Sequence, residues 1–156
     1  MPDVVEPVLS AHSFLSHWQG HRRLTRRVIE AFPAEHLFAF SIGGMRPFGD
    51  QAMELVSLAA PMVREIISGS MDETTLHASD REELLRLWDQ GTEELDALYP
   101  TIPPERFGEV VTVFGQFTAP IRDHFLYLLD NEIHHRAQGY VYLRALGIEP
   151  PPFWER

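Results

Sequence analysis

Apolar side chains recur at steps of three and four residues along four long segments of the chain, the spacing of one face of a helix. The first segment runs from about Leu9 to Ala31, the second from Phe48 to Gly69 and the third from Ser79 to Pro100. The fourth runs from about Pro120 to Leu146, and Gly147 follows it as a cap. The pattern therefore predicts four amphipathic helices.

Breaker and capping residues indicate where these helices end. Phe32–Pro33 ends the first, because proline disfavours helical geometry in the residue before it. Ser79 and Glu82 have the spacing of a capping box at the start of the third. Pro61 lies inside the second helix and predicts a kink or a break there. Gly69 is suited to cap the end of that helix.

The segment between the third and fourth helices is the one non-helical stretch of any length. Within it, "EVVTVF" is rich in β-branched residues and predicts a short strand or an extended link. About twenty residues are too many for a tight turn between two helices, so we predict a crossover connection. Four helices, one crossover and no second domain favour a single all-α domain over residues 1–156, a four-helix bundle.

Composition narrows the chemistry that the chain can perform. It has no cysteine and no lysine, which excludes disulfides, thiolate metal sites and Schiff-base catalysis. The formal net charge of -10 disfavours nucleic acid as a partner. Four arginines cluster in "HRRLTRRVIE", and we interpret them as a solvated face rather than as an anion site.

The N-terminus has no basic region followed by an apolar run, so it does not read as a secretory signal. No segment approaches the roughly 20 apolar residues that a membrane-spanning helix needs. We therefore expect a cytoplasmic protein without a membrane partner.

The fourth helix carries one track of polar side chains. At 3.6 residues per turn, one side of this helix presents His124, Leu128, Asn131, His135, Gln138 and Tyr142. His134 lies about 100° away from His135, so the adjacent histidines point in different directions. Asn131 and His135 are one turn apart, a spacing with which a helix offers two ligands to one metal ion. A hydrogen-bonded core histidine would give the same pattern.

The stretch "DNEIHHRAQGYVYLRALGIEPP" resembles the signature of the DinB/YfiT-like superfamily of metalloenzymes, in which the last helix usually carries a His-x-x-x-His pair. The resemblance implies a four-helix bundle in up-down-down-up order, often dimeric. It also implies a nickel or zinc ion bound by one histidine of the second helix and two of the last.

Carried over to this chain, the resemblance assigns the ligand positions to Glu54, Asn131 and His135, so that one histidine of three is kept. Oxygen-bearing side chains make a harder ligand set, which favours manganese, iron(II) or magnesium over zinc or nickel. His135 could equally hydrogen-bond Glu54 with no metal between them.

Two functions follow from the resemblance. One is a metal-dependent enzyme, a thiol-dependent S-transferase or hydrolase acting on a small-molecule substrate with a low-molecular-weight thiol. His135 and Glu54 would then be ligands or general bases, and His124 and Tyr142 would contact the substrate. The alternative is a non-catalytic stress-response or ligand-binding protein that kept the fold and lost the metal.

The C-terminal segment has more large apolar side chains than one helix face buries. Phe153 and Trp154 follow a run of prolines. We expect them to pack back across the mouth of the bundle or into a homodimer contact.

Overall fold

The structure is a computed structural model that describes residues 8–156; the first seven residues, for which no secretory signal is predicted, lie outside it. Helices cover most of this part of the chain: α1 Ala11–Ala31, α2 Ala34–Leu37, α3 Phe48–Ser68, α4 Arg81–Leu98 and α5 Ile121–Ala145. Two short 3-10 turns, Tyr99–Thr101 and Pro104–Gly108, precede the strands β1 Val110–Val113 and β2 Phe117–Pro120. Within these residues, no helix is both long and apolar enough to cross a membrane.

The four long helices form a bundle in which α1 and α3 each pack against both α4 and α5. Helices α1 and α4 are antiparallel, because Gln19 binds Asp96 whereas Arg26, further along α1, binds Asp89, which comes earlier in α4. Helices α1 and α5 are parallel, because Phe14 packs on Phe125 near the start of both helices, whereas Thr25 binds Arg136 further along both.

Helices α3 and α5 are antiparallel, since Gln51 binds His135 while Glu54 binds Asn131. Together these directions require α3 and α4 to be parallel, and the order is up-down-down-up as predicted. The connection of residues 69–80 must therefore run back along the bundle. The connection of residues 99–120 crosses one end of the bundle from α4 to α5.

The observed cap of one helix differs from the prediction. The N-cap of α4 is Asp80, not Ser79, and its Oδ1 accepts a hydrogen bond from the Glu83 amide at 2.8 Å. Of the kink or break predicted at Pro61, the break is excluded, because α3 is one continuous helix through that residue. Gly69 caps α3 in the left-handed conformation, with φ of 71°, as predicted.

The β-branched run predicted as a strand or an extended link is one strand of a hairpin. Strands β1 and β2 pair antiparallel, with Val113 opposite Phe117. The hydroxyl groups of Thr112 and Thr118 are 2.8 Å apart across the pair. The hairpin packs its first strand against α3 and its second against α5, which places it over one side of the bundle.

The aromatic side chains at the C-terminus do not pack into the bundle. Phe153 and Trp154 remain 62% and 67% exposed, and their rings pack edge to face against each other. The predicted contact across the bundle mouth is therefore wrong. Their role in a homodimer stays a prediction.

Candidate functional site

Antiparallel packing of α3 against α5 brings together the three side chains to which the resemblance assigns a metal. Oε1 of Glu54 accepts a hydrogen bond from Asn131 Nδ2 at 3.1 Å and lies 3.2 Å from His135 Nε2. Asn131 and His135 are one turn apart on α5, so both face the same turn of α3. His135 is only 7% exposed, whereas the adjacent His134 is exposed, as the helical spacing predicts.

Gln51 fixes the orientation of the His135 ring. The Gln51 Nε2 group donates to the backbone oxygen of Arg46 at 2.9 Å, which turns Oε1 towards His135. That oxygen only accepts hydrogen bonds, so His135 Nδ1, 3.0 Å away, carries the proton. The Nε2 atom therefore faces Oε1 of Glu54, to which it donates a hydrogen bond, as half of an ion pair, when both ring nitrogens carry a proton.

Arg46 supplies a cation to the same carboxylate. Its Nη2 group donates to Glu54 Oε2 at 2.5 Å. Its backbone oxygen accepts hydrogen bonds from Gln51 and from the Tyr142 hydroxyl at 3.0 Å. We call Arg46, Gln51, Glu54, Asn131 and His135 the Glu54 network.

Sequence reasoning missed Arg46 and Gln51. Gln51 lies three residues before Glu54 on α3, and this spacing could have indicated it. Arg46 belongs to the loop before α3, where no periodicity exists to place it.

The Glu54 carboxyl is held in its ionised form. Partial burial raises its pKa, but the hydrogen bonds from Arg46, Asn131 and His135 outweigh burial, and the pKa is lowered below its usual value. At neutral pH the site therefore contains a carboxylate that accepts hydrogen bonds on both oxygens.

Glu54 also lines a cavity between α3, the hairpin and the start of α5. The cavity has a volume of about 590 Å³, in the range of pockets that hold small molecules. Its walls are mostly apolar and come from both helices and from the hairpin. They include Leu58, Met62, Phe114, Phe117, Ala119, His124 and Tyr127. Glu54 is the one residue of the Glu54 network that lines this cavity.

The tip of the hairpin is held against α3 in a strained conformation. Phe114 has φ of 51°, a left-handed value that is uncommon for a residue with a side chain. Its amide donates to Oε1 of the buried Glu65 at 2.8 Å. The other oxygen of Glu65 accepts from the Asp72 amide at 3.3 Å. One buried carboxylate thus fixes both the cavity wall and the connection after α3.

The two predicted substrate-contacting residues lie in different places. His124 lines the cavity, and its Nε2 group lies 3.1 Å from the backbone oxygen of Val111, where an N–H group would donate. Tyr142 is fully buried in the apolar core and donates to Arg46. The structure brings His124 to the cavity wall, whereas Tyr142 anchors the loop that carries Arg46.

A second pair on α5 faces α1 instead of α3. Glu132 is 2% exposed and accepts hydrogen bonds from Trp18 at 3.1 Å and from Thr25 at 2.6 Å. Arg136 lies 4.0 Å from Glu132 and donates to His21 Nδ1 at 2.9 Å. Burial raises the pKa of Glu132, and the neighbouring arginines oppose this effect. The "NEIHHR" motif thus contains one pair, Asn131 and His135, that faces α3, and a second pair, Glu132 and Arg136, that faces α1.

The donor set does not fit a zinc or nickel ion. No three histidine, cysteine or acidic side chains within residues 8–156 are grouped so that they could hold a metal. The site offers one imidazole, one carboxylate and an amide, and asparagine is a poor ligand for these ions. The Glu54 carboxylate already accepts a hydrogen bond from the Arg46 guanidinium, and Asn131 directs its amide hydrogens, not its oxygen, towards the same carboxylate.

Comparisons with known proteins agree with this architecture. The structure is similar to that of a DinB-like protein from Bacillus subtilis, with a TM-score of 0.75, 19% identity, and coverage of 92% of this chain and 99% of that one. It is also similar to a DinB-like protein from Bacillus cereus, with a TM-score of 0.70, 18% identity, and coverage of 90% and 95%.

Sequence comparison identifies the family. No curated protein matches the chain. The family model described as "DinB family" matches residues 1–156, the whole of the chain. The chain therefore belongs to the DinB family.

Proposed function

We propose that this protein binds a small, largely apolar organic molecule in the cavity beside Glu54. The proposal rests on Glu54, whose side chain is held by hydrogen bonds of the Glu54 network and at the same time lines the cavity. A carboxylate held in this way is an orienting group at the edge of an otherwise apolar pocket, which is typical of small-molecule sites.

The cavity wall favours a particular kind of ligand. Leu58, Met62 and Phe114 provide an apolar surface for a hydrocarbon or aromatic body. Glu54 is ionised and accepts hydrogen bonds, so the ligand should carry a donor such as an amine or a hydroxyl group. Asp123 adds a second carboxylate to the wall. Its contact with Arg122, at 3.4 Å between two exposed side chains, is weak, so the wall favours a positively charged donor.

The geometry favours binding over general-base catalysis. A general base works best when its pKa lies near the working pH, whereas the pKa of Glu54 is lowered. His135 is buried behind Glu54, and its two ring nitrogens face Gln51 and Glu54. The predicted catalytic roles of Glu54 and His135 therefore receive less support than a role in orienting a ligand.

A metal-dependent S-transferase or hydrolase is the second candidate. The observation in its favour is that Asn131 and His135 converge within 3.2 Å of the same Glu54 oxygen. A harder ion such as manganese, iron(II) or magnesium would be held by these three residues and would act as a Lewis acid on a low-molecular-weight thiol. The cytoplasmic location and the homodimer also stay proposals.

Three related probes test the ligand proposal. Benzylamine, benzyl alcohol and toluene share an aromatic body and present a cationic donor, a neutral donor and no donor. Each is titrated into protein with labelled methyl groups, and the signals of Leu58 and Met62 are followed by NMR. We expect saturable shifts of these signals, with affinity falling from benzylamine to benzyl alcohol to toluene.

Matched variants identify the group that orients the probe. Glu54→Gln should weaken benzylamine binding by at least about tenfold, because a charge-assisted hydrogen bond is lost. Glu94→Gln removes a carboxylate that lies on another face of the protein and should leave the affinity unchanged. Equal affinity for all three probes, or no shift of the Leu58 and Met62 signals, would overturn the proposal.

A further inference from the structure

We infer that the Arg46 guanidinium is the fixed cation of this site, taking the role that the family resemblance gives to a divalent metal ion. The carboxylate that would bind the ion is Glu54, and its Oε2 atom accepts a hydrogen bond from Arg46 at 2.5 Å. Its other oxygen faces Asn131 and His135. Both oxygens are therefore already engaged by groups of the protein.

The position of Arg46 is built into the fold. Its backbone oxygen accepts hydrogen bonds from Gln51 and from Tyr142, which are 1% and 0% exposed. The buried anchors lie on α3 and α5, so the loop is tied to both helices that form the site. A surface arginine that met Glu54 by chance would not require two buried side chains to hold its backbone.

Gln51 links Arg46 to the remainder of the site. The amide group of this residue donates to the backbone oxygen of Arg46 and accepts from His135 Nδ1, so it holds both the loop that carries the guanidinium and the imidazole ring. The Arg46 side chain itself is half-exposed, and its contact with Glu54 is partly screened by water. The backbone anchors therefore contribute more to holding Arg46 at the site than the ion pair does.

Charge opposes the binding of a metal ion beside this arginine. A divalent ion lodged between Glu54, Asn131 and His135 would lie close to the guanidinium, where like charges repel strongly. It would carry twice the charge of an ammonium group that meets Glu54 from the cavity. The ion would also have to displace the hydrogen bond from Asn131, whose amide hydrogens point at the carboxylate. Removing the charge of Arg46 should thus make the site more receptive to a metal.

Calorimetric titration of zinc chloride and manganese chloride tests the inference. The parent, Arg46→Gln, Asn131→His and the double variant Arg46→Gln/Asn131→His are compared. Arg122→Gln/Asn131→His is the matched control, because it removes an equal charge from an arginine that pairs with Asp123 instead of Glu54. Circular dichroism checks that each variant is folded.

We expect no saturable binding of either metal to the parent. The variant Arg46→Gln/Asn131→His should bind zinc at least about tenfold more tightly than Asn131→His alone, through a carboxylate and two imidazoles. The Arg122→Gln control should show no such gain. If the double variant is unfolded, Arg46→Gln alone should bind manganese more tightly than the parent.

Stoichiometric metal binding by the parent that Glu54→Gln abolishes would overturn the inference, as would equal affinities with and without Arg46. The inference concerns the same site as the proposed ligand binding, but the two fail separately. If benzylamine does not bind in the cavity, the ligand proposal fails and the metal titration still tests the role of Arg46. If the parent protein binds manganese at Glu54, the inference about Arg46 fails and the benzylamine titration still tests ligand binding.

Discussion

The Gln51 side chain accepts a hydrogen bond from Nδ1 of His135 at 3.0 Å, and this contact decides what His135 can do. It settles which nitrogen carries the proton in the neutral ring and turns the other nitrogen towards Glu54. The same kind of contact orients histidines in metal sites. In this chain the Nε2 atom faces a carboxylate that Arg46 also contacts.

The contact between Gln51 and His135 predicts coupled effects on stability. Gln51→Leu and His135→Leu should each lower the free energy of unfolding by about 1–3 kcal/mol, because each leaves a buried polar partner unsatisfied. Their combined effect should depart from additivity by roughly 0.5–3 kcal/mol. Urea unfolding of both single variants and the double variant measures this coupling. Pairing Gln51→Leu with His134→Leu, at an exposed histidine, should be additive to within about 0.5 kcal/mol.

The buried carboxylate on the α1 side of α5 predicts a large loss of stability. Glu132→Ala should cost about 3–5 kcal/mol, because it leaves Arg136 buried without its acidic partner. Glu132→Gln should cost less, since its side-chain oxygen still accepts one hydrogen bond. Glu93→Ala, at an exposed position, should change the stability by no more than about 0.5 kcal/mol. A Glu132→Ala protein as stable as Glu93→Ala would show that this network does not hold α1 to α5.

His21 predicts a loss of stability in mild acid. Burial, helped by Arg136, Arg156 and His17, lowers its pKa from 6.5 to about 3. The unfolded chain therefore takes up a proton below pH 6.5, and the folded protein does not until about pH 3. The free energy of unfolding is therefore unaffected by protonation of His21 above pH 6.5 and decreases as the pH falls from 6.5 towards 3.

The measurement is the free energy of unfolding of the wild type and of His21→Asn at pH 7 and at pH 5. Asparagine can still accept the hydrogen bond from Arg136, but it does not titrate. The wild type should lose about 2 kcal/mol more than the variant between these pH values. Equal losses would show that the His21 pKa is not lowered by folding.

Two helical glycines predict opposite responses to alanine. A Cβ atom at Gly139 would lie 2.7 Å from the ring of the buried Phe48, so α3 and α5 pack too closely there for any side chain. Gly139→Ala should therefore destabilise the protein by about 1–3 kcal/mol. A Cβ atom at Gly91 meets nothing closer than 3.5 Å. Gly91→Ala should stabilise it by roughly 0.5–1 kcal/mol, which thermal unfolding of both variants checks. A stabilising Gly139→Ala would contradict the close contact.

The four long helices could be predicted because apolar residues recur at steps of three and four along each of these segments and form the face that packs into the core. The helix does not break at Pro61, since the packing of α3 on both neighbours holds it together across a residue that lacks an amide hydrogen. The predicted N-cap of α4 was wrong by one residue, because Ser79 and Asp80 are both good caps and the sequence alone does not rank them.

The candidate site was predictable only in part. The convergence of Glu54, Asn131 and His135 follows from spacing together with a family resemblance. Arg46 could not be placed, because its position depends on how a loop folds back onto two helices. The burial of Glu132 was missed for another reason: a charged residue in the core runs against the hydrophobic pattern from which the core is predicted.

A crystal structure of the protein soaked in manganese chloride, with anomalous scattering measured near the manganese edge, tests whether Arg46 is the cation of the Glu54 site. We predict no anomalous peak between Glu54, Asn131 and His135, and density for the Arg46 guanidinium beside Glu54. A strong peak at that place, with Arg46 turned away from Glu54, would show that a metal ion and not Arg46 is the cation of the site.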